Sequence, residues 1–108
     1  MSDNFMEERK KEIGGNKIIL YIKGTKDQPQ CGFSAATIQI FNRIGKPFTT
    51  VNVLTNSEIR TRMQEFSKWP TFPQVFIGGE FVGGCDIVTE MDEKGELEPL
   101  VKKTFGET

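Results

Sequence analysis

The sequence predicts an α/β fold, a four-stranded mixed sheet with helices on both faces. Three observations carry this expectation. Ile18-Ile19-Leu20-Tyr21-Ile22 is an uninterrupted run closed by Lys17 and Lys23, the pattern of a strand buried on both faces. A second β-branched run, Phe48 to Val53, follows a segment of helical periodicity, so the two strands should be parallel with a helical crossover. Val75-Phe76-Ile77 and Phe81-Val82 flank Gly78-Gly79, which adds an antiparallel hairpin. Such a sheet buries both faces only if helices cover each of them.

Each element can be justified in order. Phe5 to Ile13 reads as a charged, weakly amphipathic helix with Phe5, Arg9 and Ile13 on one face, ended by Gly14-Gly15. Residues 1–16 are thus an N-terminal helical segment and 17–105 the core of a single domain spanning 1–108. After the first strand, Gly24 to Gln30 is a loop that delivers Cys31. Ile38, Phe41 and Ile44 recur at helical spacing until Gly45 and Pro47 stop the helix. Thr55-Asn56-Ser57-Glu58 has the form of a capping box with Thr55 at the cap. Ile59, Met63 and Phe66 share one face of the helix that follows, and Trp69-Pro70-Thr71-Phe72-Pro73 breaks it. Glu80 opens the second hairpin strand. Gly83-Gly84-Cys85-Asp86 leads into a last helical region, interrupted near Gly95, whose apolar face is Leu97, Leu100 and Val101. The expected order is α, β, α, β, α, β, β, α, α.

Composition narrows the function. The 108 residues, 36% hydrophobic with nine Phe, suffice for one packed core. A net charge of −1 argues against a nucleic-acid partner, because no basic excess exists to release counterions. No apolar run approaches the ~20 residues of a membrane span. Met1-Ser2-Asp3-Asn4-Phe5 has no signal-type apolar core, so a cytoplasmic protein is expected, or a stromal or matrix one if a transit peptide has been removed. The chain has no His, which excludes Ser-His-Asp and Cys-His catalysis and every His-containing zinc site. Gly78-Gly79 and Gly83-Gly84 match no dinucleotide or phosphate loop.

The chemistry concentrates at Cys31-Gly32-Phe33-Ser34, a Cys-x-x-Cys redox motif with its second cysteine replaced by serine. Cys31 should stand at a helix N-terminus, where unpaired N–H groups and the helix dipole favour an anion. A thiol there ionises more readily, and the thiolate is both nucleophile and metal ligand. Without a thiol at position 34, a second sulfur must come from elsewhere. Cys85 is the other cysteine; it reads equally as a buried structural thiol or as a resolving partner. Thr71-Phe72-Pro73 precedes a strand. A cis bond at Pro73 would turn the Phe72 N–H and C=O outward, although trans is the expectation from the residues alone.

Lys23-Gly24-Thr25, Pro29-Gln30-Cys31-Gly32-Phe33-Ser34, Trp69-Pro70-Thr71-Phe72-Pro73-Gln74 and Gly83-Gly84-Cys85-Asp86 together resemble the monothiol glutaredoxin family, in its order and roughly its spacing, from about Lys17 to Phe105. The resemblance implies a thioredoxin-like fold, a cis Pro73, a glutathione site beside Cys31 and a bridging [2Fe–2S] cluster. It implies that Lys23 and Arg60 meet the glycyl carboxylate of glutathione and that the Phe72 backbone pairs with the cysteinyl moiety. The N–H groups of Cys85 and Asp86 would bind the γ-glutamyl carboxylate, and the Asp86 carboxylate its amine; a plain helix N-cap is the other role open to Asp86. Trp69-Pro70 and Phe33 would wall the site.

A [2Fe–2S] cluster is usually held by four thiolates. One chain offers Cys31 and one bound glutathione, so two chains and two glutathiones complete the set. The cluster would sit in a homodimer, or in a heterodimer if a BolA-type protein supplies other ligands. The leading expectation is a carrier of iron–sulfur clusters to apo client proteins, active in iron homeostasis. The alternatives are a weak glutathione-dependent thiol–disulfide oxidoreductase acting through Cys31, with Cys85 as a resolving thiol in one variant, and an interaction adaptor for BolA-type proteins.

Overall fold

The structure is a computed structural model that describes residues 4–107. Its elements are α1 (Asn4–Gly15), β1 (Ile18–Ile22), α2 (Gly32–Ile44), β2 (Thr49–Asn52), α3 (Ser57–Ser67), β3 (Gln74–Ile77), β4 (Glu80–Gly83), α4 (Cys85–Glu93) and α5 (Leu97–Thr104). This is the expected order. The sheet runs β2-β1-β3-β4. β1 is parallel to β2, with Ile19 opposite Thr49, and antiparallel to β3, with Ile18 opposite Ile77. β3 and β4 form the antiparallel hairpin across Gly78-Gly79, two residues with positive φ that suit a tight two-residue turn.

Every residue of β1 is buried. Side chains alternate between the faces of a strand, so β1 supplies two cores at once. Ile18, Leu20 and Ile22 pack with Ile38 and Phe41 of α2, Val88 of α4, and Leu97 and Val101 of α5. Ile19 and Tyr21 pack on the other face with Ile13 of α1, Ile59 and Met63 of α3, and Phe76. Each such aliphatic side chain contributes about 1.5–3 kcal/mol by leaving water. Helices therefore cover both faces, as the unbroken apolar run requires.

Several boundaries differ from expectation. Gly14 and Gly15 are the last residues of α1 rather than its stop. Phe48 lies outside β2; its carbonyl accepts from Lys26 Nζ at 2.8 Å, and the Lys26 ammonium lies 4.0 Å from the centre of its ring. The cap of α3 is Asn56, not Thr55: Asn56 Oδ1 accepts from the Glu58 N–H at 2.8 Å. Asn is the stronger cap, and the Thr55 hydroxyl is committed to the Asn52 carbonyl at 3.1 Å. Phe66 is exposed at the rim yet stacks on Phe76, 6.2 Å between ring centres. The Phe72–Pro73 bond is cis, so the trans expectation from the residues alone does not hold.

The topology brings three chain segments to one end of the sheet. The C-terminal ends of β1 and β4 and the N-terminal end of β3 meet there, because β3 is antiparallel to both. Among the described residues no helix is long and apolar enough to cross a membrane.

Candidate functional site

A cavity of about 420 Å³ opens at that end, lined by Lys23, Cys31, Phe33, Trp69, Thr71, Phe72, Pro73, Gly84, Cys85 and Asp86. Each comes from a junction: β1 to α2, α3 to β3, or β4 to α4.

The first junction presents Cys31. The loop folds back on itself through Gln30 N–H to Lys23 O at 2.9 Å and Thr25 N–H to Gln28 O at 3.2 Å. Gly24 is needed at its root. With φ at 101°, a Cβ there would lie 2.6 Å from Gln28 O and from Gln30 N, closer than packed atoms approach. Asn52 Oδ1 ties this loop to the end of β2, accepting from the N–H groups of Gly24 at 3.0 Å and Leu54 at 2.9 Å.

Cys31 is the N-cap of α2, in extended conformation. Its side chain is only partly buried. The thiol is held below its ordinary range chiefly by the backbone N–H of Ser34. Partial burial opposes this, while the Phe33 N–H, the Ser34 hydroxyl and the Lys23 ammonium add to it. These are the fields expected at the first turn of a helix. Ser34 is fully buried, and its Oγ accepts from the Lys23 N–H at 3.2 Å. The residue in place of a second thiol therefore joins the end of β1 to the start of α2. Phe33, by contrast, is 62% exposed beside the thiol.

The third junction sets a second helix N-terminus against the same cavity. α4 begins at Cys85, with Gly84 as its N-cap. Asp86 is thus in the first turn and exposed; it is not the N-cap, the other role the sequence left open for it. Cys85 is a free thiol, partly buried, with Sγ 3.8 Å from Thr89 Oγ1. Two helix N-termini thus border one cavity, and free N–H groups at helix N-termini favour an anion.

The structure brings Lys23, Cys31, Phe72, Cys85 and Asp86 to this cavity, with Trp69 and Phe33 as walls. Arg60 is exposed on α3 and outside the lining, and Pro70 faces a neighbouring groove. Thr71 and Gly84 also line the cavity; both stand in the sequence motifs, but neither is among the residues to which the resemblance assigns a contact with glutathione. Among the described residues no group of three or more Cys, Asp or Glu could hold a metal ion within the chain.

Residues 18–82 match the family described as Glutaredoxin. The chain is 52% identical over 91 residues to a probable monothiol glutaredoxin 2 of Rickettsia felis, covering 84% of this chain and 88% of that protein. It is 46% identical over 99 residues to glutaredoxin 4 of Escherichia coli, covering 92% and 86%. The solution structure of reduced poplar apo GrxS14 superposes with a TM-score of 0.83 at 46% identity, covering 94% of this chain and 93% of that one.

Proposed function

The chain belongs to the monothiol glutaredoxin family, and from that premise we propose that it binds glutathione beside Cys31 and shares a [2Fe–2S] cluster between two copies, as a carrier of that cluster. The observation that carries the reading is a thiol at the α2 N-terminus, held below its ordinary pKa by backbone N–H groups, with a buried, hydrogen-bonded serine in place of its partner. Such a thiolate ligates iron, and the chain offers it no neighbouring sulfur at position 34.

Glutathione fits the cavity chemically. It carries two carboxylates, one amine and one thiol. The N–H groups at the start of α4 suit the γ-glutamyl carboxylate, and the Asp86 carboxylate suits its amine. Lys23 suits the glycyl carboxylate, with Arg60 as a more distant cation on α3. The Phe72 N–H and C=O suit a short strand-like pairing with the cysteinyl moiety. The glutathione sulfur and Cys31 then give two thiolates per chain, so a cluster that needs four is completed by a second copy. A BolA-type protein is the alternative partner. Two of the ligands are held without covalent bonds to the protein, which suits release to an apo acceptor.

Anaerobic purification with glutathione, followed by absorption spectroscopy and sizing, tests this. A brown dimer with about one cluster per two chains is expected. Cys31→Ser should abolish the cluster and Cys85→Ser retain most of it. A Cys31→Ser chain that assembles the same cluster would overturn the assignment.

The lowered pKa of Cys31 and its partial exposure also favour a second reading. The Cys31 thiolate would attack the glutathione sulfur of a protein mixed disulfide and release the protein thiolate. A second glutathione would then attack the resulting disulfide at the same sulfur, restoring Cys31 and leaving as oxidised glutathione. Turnover of a glutathionylated peptide by the cluster-free protein, lost in Cys31→Ser, is its test.

A further inference from the structure

One wall of the cavity is Trp69, Thr71 and Phe72, a stretch of irregular backbone between α3 and β3 with no strand or helix ladder of its own. Gln74, the first residue of β3, is fully buried behind it. Its Nε2 donates to the Trp69 carbonyl at 2.9 Å and to the Thr71 carbonyl at 3.3 Å. Both partners are acceptors, so only one orientation of the amide works. Its Oε1 is buried with no partner among the described residues. A buried amide with one atom unpaired costs stability relative to an apolar side chain of similar size, and what it supplies in return is confined to those two carbonyls.

We infer that Gln74 is a positioning residue, its buried amide clamping the Trp69–Thr71 backbone to the sheet and so holding the cavity wall in the shape that receives glutathione. This rests on the glutathione reading above. Other contacts fix the same stretch from the side of α3: the Ser67 hydroxyl oxygen accepts from the Trp69 N–H at 3.1 Å, and Gln64 Nε2 donates to the Pro70 carbonyl at 2.7 Å. Gln74 alone among these three ties it to a strand. The wall has little tolerance for movement. Trp69 packs against Phe81, 5.7 Å between ring centres, and a Cβ on Gly84 would come within 2.8 Å of Trp69 Nε1, so the indole edge lies directly on the backbone that begins α4. A shift of the Trp69 backbone is therefore passed to two walls of the cavity. It does not reach the hydrogen bonds that hold the thiol low: these come from Ser34 and Phe33, with the Lys23 ammonium adding to them, whereas the Gln74 amide donates to the Trp69 and Thr71 carbonyls.

A split between binding and reactivity follows. Gln74→Met and Gln74→Leu keep the bulk of the side chain and remove both donations; two variants are used so that the readout survives if one fails to fold. Glutathione affinity, read by titration calorimetry, should fall about tenfold, the change expected from losing roughly one neutral hydrogen bond in net terms. The pH profile of Cys31 alkylation should not move. Trp69 is the only tryptophan in the chain, so acrylamide quenching of its fluorescence should rise and report the loosened wall directly. Val75→Ala, a buried neighbour on the opposite face, controls for general destabilisation. Unchanged affinity and quenching in the Gln74 variants would overturn the inference, as would an equal loss of affinity in Val75→Ala. If the wild-type chain binds no glutathione, the functional reading fails instead, and Trp69 quenching alone decides the clamp.

Discussion

Cys31 and Ser34 show how much chemistry two residues of one helical turn can hold. The thiol of Cys31 is lowered chiefly by the Ser34 N–H, a backbone group, and only in a smaller part by the Ser34 hydroxyl. Removing the hydroxyl should thus weaken the effect without abolishing it. In wild type, iodoacetamide modification plotted against pH should show its midpoint below the ordinary thiol range of about 8.5. Ser34→Ala should move that midpoint up, while leaving it short of a free cysteine. Because folding lowers this pKa, ionisation of Cys31 stabilises the fold above the ordinary range, and that gain disappears as pH falls through the lowered value. The same substitution has a separate effect on stability. It leaves the Lys23 N–H without its acceptor at a partly buried position, a loss of about 1 kcal/mol that chemical denaturation would read. An alkylation midpoint unmoved by Ser34→Ala would mean that the hydroxyl contributes nothing to the thiolate.

At the scale of elements, what was legible in the chain follows the strength of its local signals. β1 is unmistakable because its apolar run is continuous, and α2 because Ile38 and Phe41 repeat at helical spacing and both are buried. The end of α1 was not, because Gly14 and Gly15 meet open space and a helix tolerates them. Residues alone favoured trans at Phe72–Pro73, and the cis bond of the structure was implied only by the resemblance to a family. The contributions of Asn52 and Gln74 to the site were invisible, because each acts through a side-chain amide on backbone brought close only by the tertiary fold. The cap of α3 is an intermediate case. The sequence pattern put Thr55 at the cap, and the geometry puts Asn56 there instead, whose side-chain carbonyl oxygen reaches the Glu58 N–H. Asn56→Ala should therefore cost about 1 kcal/mol of stability. Thr55→Ala should cost less, since it forfeits only a hydrogen bond on the exposed surface. Comparison of the two urea midpoints checks the assignment; a larger loss for Thr55→Ala would return the cap to Thr55.

For the whole molecule, the sheet separates what stabilises the chain from what performs its chemistry. The cavity is assembled from junctions at one end of the sheet, whereas α1 enters β1 from the other end, through Asn16 and Lys17. α1 is attached through both apolar and polar contacts. Ile13 is buried in the core shared with α3, Tyr21 Oη donates to Glu12 Oε1 at 2.6 Å, and the Arg62 guanidinium of α3 lies 5.9 Å from the centre of the Phe5 ring. None of these residues lines the cavity. Truncating Ile13 to Ala removes buried methyl groups from a close-packed face, which should lower the stability of the chain by roughly 2–5 kcal/mol. Glutathione affinity and the alkylation profile of Cys31 should stay within about twofold of wild type at temperatures where the variant remains folded, because distant sites without shared partners respond independently. Denaturant unfolding and calorimetry on the same preparation test both halves. A loss of affinity that matches the loss of stability would show that the α1 face and the cavity are coupled through β1, whose side chains serve the cores on both sides.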